Sequence, residues 1–110
     1  MATLSKAEQA TQRMRYHFSR LQTSPQFAAV LDFLFDLQPR TEPVISELAL
    51  LDGRLVVART HGDMSFRHYV GSRNELAINL VGFVDHLGLG RDEREYVLSR
   101  IDAIPRREAA

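Results

Sequence analysis

The side chains best placed for chemistry gather in RHYVGSRNEL, residues 67–76, where a strand pattern runs into a helix pattern. Arg67 and Arg73 flank the junction, His68 follows Arg67, and Gly71-Ser72 sits in the turn. Helix N-termini attract anions because their first N–H groups lack partners and lie at the positive end of the dipole. Arginines beside such an end can hold a phosphate through paired hydrogen bonds. Ser72 and Glu75, however, spell S-x-x-E, a capping box in which the serine oxygen takes the N–H of Glu75 and the Glu75 carboxylate reaches back. The capped helix is the preferred reading, because the donors an anion needs are occupied and Glu75 adds a negative charge. An anion or nucleic-acid site is the alternative, with Arg54, Arg59, Arg67, Ser72 and Arg73 as its residues.

Elsewhere the chain is poor in reactive patterns. His17, His61, His68 and His86 show neither H-x-x-x-H nor H-E-x-x-H spacing, so no helix offers a metal pair. His68 alternates with Phe66 and Val70 and reads as a core histidine. With no cysteine there is no thiolate ligand, disulfide or cysteine nucleophile. Neither G-x-S-x-G nor a phosphate-binding loop is present. Gly88-Leu89-Gly90 joins two helices as a helix-turn-helix would. The second helix then opens Asp92-Glu93-Arg94-Glu95, and those acids would face phosphates. Catalysis, metals and cofactors are therefore not expected.

The bulk numbers narrow the classes further. The 110 residues carry 14 basic and 14 acidic side chains, so no general pull on nucleic acid exists. Charge is uneven: residues 53–73 hold Arg54, Arg59, Arg67 and Arg73 against Asp63 alone. Lys6, Arg13 and Arg20 recur on one side of the first helix and read as a solvated stripe. The polar N-terminus carries no secretory pattern, and the apolar runs are too short to span a bilayer. A cytoplasmic location is the expectation, with no membrane contact.

The elements that must position these groups are legible from period and punctuation. A helix is expected from about Ser5 to Gln22, with a heptad-like seam of Leu4, Ala7, Thr11, Met14, Phe18 and Leu21. Ser24-Pro25 starts a second helix. Its Phe27, Val30, Leu31, Phe33, Leu34, Phe35 and Leu37 make it the central core element, and Asp32 and Asp36 mark its solvent side. Asp52-Gly53 is a hairpin signal between Val44–Leu51 and Arg54–Thr60. The two-residue turn sets the register Leu51 to Arg54, Leu50 to Leu55 and Leu48 to Val57. Val44, Leu48, Leu50, Leu55 and Val57 then face the core. A third strand, about Met64 to Val70, precedes a helix of about Arg73 to Leu87 that Gly88 stops. A last helix, about Asp92 to Ile104, opens with Asp92 and Glu95 as a capping pair, and Pro105 to Ala110 read as a loose tail.

The expectation is one α+β domain over residues 1–110, a three-stranded antiparallel meander packed with helices in the order αα-βββ-αα. Three strands span about 14 Å, so four helices on one face would be crowded. Either a helix pair covers each face, or the helices layer on one side and leave the other open. The outer face would carry Ile45, Ala49, Leu51, Val56, Ala58 and Tyr69 among Glu47, Arg54 and Arg67, an apolar centre with a polar rim. The functional expectation is a small non-enzymatic interaction module. It would bind itself as a homodimer, or a protein partner, with nucleic acid or a phosphate ligand as the alternative.

Overall fold

The computed structural model describes residues 3–40, 44–61 and 64–107, with side chains throughout except at 60, 61 and 64–69. Four helices and four strands follow in the order α1 (Lys6–Arg20), α2 (Pro25–Leu34), β1 (Val44–Leu51), β2 (Arg54–His61), β3 (Met64–Ser72), α3 (Arg73–His86), α4 (Arg91–Asp102) and β4 (Arg106–Arg107). The fold is α+β, as expected. The sheet is mixed and four-stranded, in the order β3-β2-β1-β4. Its meander is β1-β2-β3, and the added strand is a correction to the sequence expectation. Arg106 and Arg107, placed in a tail, run parallel to β1 beside Leu50 and Leu51. The Leu50 N–H donates to the Pro105 carbonyl at 2.7 Å and locks that corner.

The hairpin forms as its turn residues dictate. Asp52 and Gly53 take φ of 52° and 79°, the left-handed pair that a type I′ turn requires. Leu51 pairs with Arg54, Leu50 with Leu55 and Leu48 with Val57. The register then shifts, because Glu47 pairs with Ala58 but Ile45 pairs with Arg59. Ser46 is the extra residue of a β-bulge, and its hydroxyl donates to the Ala58 carbonyl at 3.2 Å. A one-residue slip moves each side chain beyond it to the opposite face. Ile45 therefore joins the core with Leu48, Leu50, Leu55 and Val57, while Val44 is left 42% exposed.

The helices cover one face of the sheet. α2 packs on β1 and α3 on β3, while α1 packs chiefly on α4. Phe18 of α1 lies between Phe35, 4.4 Å away by ring centroids, and Phe83 of α3, at 5.4 Å. The buried stripe of α1 is Ala10, Met14 and Phe18, so the core takes up Met14 and Phe18 of the heptad seam, Thr11 and Leu21 are half-buried, and Leu4 and Ala7 at its start are exposed. Ser5 and Glu8 close a full capping box at the start of α1. At α4 only half of such a box is made: the Gly90 N–H donates to Glu93 Oε2 at 3.1 Å, and glycine has no side chain to return the bond; Asp92 and Glu95 were the expected pair. Helix α3 ends in a Schellman motif: Gly88, at φ 69°, donates to Asp85 O, and Leu89 N–H reaches Val84 O. Helix α2 ends identically, but with Asp36 in the left-handed position at φ 57°.

Candidate functional site

Two surfaces collect the candidate residues, and a third group turns out to be structural. The structural group surrounds the end of α2. Asp32, expected in solvent, is buried; its Oδ1 accepts from Arg40 Nε at 2.9 Å and its Oδ2 from the Arg40 backbone N–H at 3.0 Å. Arg40 Nη1 also donates to the carbonyls of Ser19 and Leu21, tying the end of α1 to α2. Arg15 caps the carbonyls of Phe35 and Asp36, and Arg100 donates twice to Leu34 O, at 2.9 and 2.7 Å. Three arginines thus satisfy helix-end carbonyls that would otherwise be orphaned. Arg13, from the supposed solvated stripe, holds Glu93 through Nε at 2.8 Å and Nη2 at 2.5 Å. That hydrogen bond keeps the Glu93 carboxyl below the ordinary carboxylate range, against burial, which pushes it upward.

The open face of the sheet is the first surface. Ala49, Leu51, Val56 and Ala58 occupy it and lie outside the core cluster. Ala49 and Ala58 are buried among their larger neighbours, whereas Leu51 and Val56 are half-buried. Glu47 stands at the rim in an ion pair with Arg107 of β4 at 2.5 Å, and Arg54 is exposed. Ile45, expected here, is on the helix side because of the Ser46 bulge. Tyr69 and Arg67 pair through their backbones with Val56 and Ala58, but their side chains lie outside the described residues, as do those of His61 and His68.

The arginines expected to form one anion site are dispersed. Arg54 is near the hairpin turn. Arg59 is on the helix side beside Ile45, only 9% exposed, and its Nε and Nη2 have no acceptor among the described residues. Ser72 caps α3 by accepting from the Glu75 N–H at 3.1 Å. The reciprocal half of its capping box is not made. Glu75 Oε2 instead lies under Gly71, 3.3 Å from where a Cβ would stand. Arg73 enters a second surface, a cleft of about 490 Å³ between the hairpin turn, the start of α3 and β4. Arg106 and Arg107 line it too. Pattern reading missed both because a two-residue strand has no period to recognise.

A further cleft of about 450 Å³ lies between α2 and the start of β1, with Phe33, Leu37 and Val44 in its walls. Phe33 is 41% exposed there, against the sequence expectation that it is core. Among the described residues no His, Cys, Asp and Glu side chains group in threes to hold a metal ion. Among them, too, no helix is long and apolar enough to cross a membrane.

No match was found among protein-family models, curated proteins or solved structures.

Proposed function

We propose that the protein is a non-enzymatic interaction module that pairs with a second copy of itself through the open face of its sheet. The observation that carries this reading is the one-sided layering of the helices. It leaves Leu51 and Val56 half-buried around Ala49 and Ala58, on a face that no core side chain covers. An apolar centre with Glu47, Arg54 and Arg107 around it has the anatomy of an interface. A rim carrying both signs of charge also suits a two-fold contact, in which each acid can face a base of the mate.

Size sets the strength. Three strands at about 4.8 Å spacing and six residues at about 3.3 Å rise, with the short β4 added, give roughly 300 Å² of sheet in plan. Stable interfaces bury about 800 Å² on each partner. The dimer is therefore weak and concentration-dependent, with monomer dominating at low micromolar concentration.

Sedimentation equilibrium or light scattering across a wide concentration range tests this. Mass should climb toward twice the chain value as concentration rises, and Val56→Glu should hold it at one. A parent chain that stays monomeric at several hundred micromolar would overturn the reading.

A further inference from the structure

We propose that the cleft between the hairpin turn, the start of α3 and β4 binds the phosphate group of a small phosphorylated molecule. The site is assembled from three distant parts of the chain. The Arg73 N–H donates to the Gly53 carbonyl at 3.1 Å, which fixes α3 against the turn. The Leu50–Pro105 hydrogen bond and the pairing of Leu50 and Leu51 with β4 bring Arg106 and Arg107 alongside. Leu50, Asp52, Gly53, Arg73, Arg106 and Arg107 then enclose about 490 Å³.

Three guanidinium groups border this space, and their bonding is incomplete. Arg73 gives Nη2 to Asp102, but its Nε is buried and has no acceptor among the described residues. Arg107 gives Nη2 to Glu47. Arg106 is exposed and has no hydrogen-bond or ion-pair partner among the described residues. A guanidinium presents its N–H groups in a planar fork that matches two oxygens of a phosphate. The α3 terminus is not the carrier, since Ser72 already takes the Glu75 N–H and Gly53 the Arg73 N–H.

The surroundings choose among anionic ligands. The cleft lies within the range of about 300–1,000 Å³ that small-molecule sites occupy, so an organic body fits beside the phosphate. Leu50 and the arginine stems supply apolar wall for that body. A nucleic-acid strand is disfavoured, because Asp52, Asp102 and Glu47 stand around the arginines and would oppose the phosphates on either side.

Inorganic pyrophosphate is the probe, titrated into the intact protein at constant ionic strength with chloride as the control. The backbone resonances of Gly53, Arg73, Arg106 and Arg107 should shift saturably, and the thermal midpoint should rise with pyrophosphate but not with chloride. Arg106→Gln should weaken the titration about tenfold, the worth of one hydrogen bond to a charged group, without changing the midpoint of the unliganded chain. Val56→Glu, directed at the sheet face, should bind pyrophosphate as the parent does, which separates this site from the proposed dimer. No saturable response, or equal affinity in Arg106→Gln and the parent, would overturn the proposal. So would a single-stranded oligonucleotide that binds far more tightly than pyrophosphate and is lost steeply with salt, which would assign the arginines to a nucleic-acid surface.

Discussion

Replacing Arg59 by methionine should make the protein more stable. Arg59 is 9% exposed, lies opposite Ile45 on the helix side of the sheet, and among the described residues leaves Nε and Nη2 without acceptors. Each unmade hydrogen bond of a buried group costs roughly 1–3 kcal/mol, more when the group is charged. The fraction of the side chain that still reaches water returns part of that cost. Methionine keeps an unbranched apolar stem of similar reach, so little packing is lost. Exchanging a buried ion for an apolar group gives from nothing to roughly 4 kcal/mol of stability. The middle of that range, about 2 kcal/mol, corresponds to roughly 8 °C in the thermal midpoint of a chain this size. Urea unfolding checks it directly: the midpoint should rise with the slope unchanged, since the surface exposed on unfolding is nearly the same. A midpoint that falls instead would refute the reasoning. It would mean that the folded protein holds a counter-anion against Arg59, and that this cation belongs to a site.

Two further expectations follow from the helix ends. Asp36→Gly should stabilise by about 0.5–1 kcal/mol, because glycine adopts the left-handed cap without strain and removes an acid from the negative end of α2; Asp36→Ala, which keeps the strain, should not, and thermal unfolding of the pair tells them apart. Glu93 has its folded pKa lowered by Arg13, so the stability of that pair is complete above the unfolded carboxyl value of about 4.3 and is lost as pH falls through the lower folded value. Arg13 is 47% exposed, which screens the pair, so Arg13→Ala should cost about 1 kcal/mol near neutral pH and flatten the acid limb of a stability–pH profile.

The parts of the fold that rest on local chemistry are readable in the residues. Asp52-Gly53 demanded a type I′ turn and set the first half of the hairpin register. Ser24-Pro25 started α2 and Gly88 stopped α3, each through a backbone conformation those residues favour. What was hidden depends on contacts between distant segments. Ser46 has no feature that marks a bulge, yet it turned Ile45 to the helix side, opposite Arg59. Asp32 and Asp36 look alike on a helical wheel. One is buried because Arg40 folds back over it, and the other is a cap. Arg106 and Arg107 pattern as tail, because two residues make a strand only where β1 offers its edge. The expected anion set was half misdirected for that reason: Arg73 reached a cleft, but its neighbours there come from the C-terminal strand.

The strand β4 has a kinetic consequence. It is two residues long and joins positions just over half the chain apart, so its contacts carry a large closure entropy for few bonds. Segments held so lightly open locally, well below the free energy of global unfolding. A cleft with two of its arginines on such a strand exists for only a fraction of the time, and the apparent dissociation constant of any occupant is the intrinsic one divided by that fraction. The Leu50 amide, which donates to Pro105, should exchange with solvent at a rate set by that opening. An occupant bridging Arg73 to Arg106 would slow the exchange by the same factor by which it closes the strand, so one amide proton would report both folding and binding.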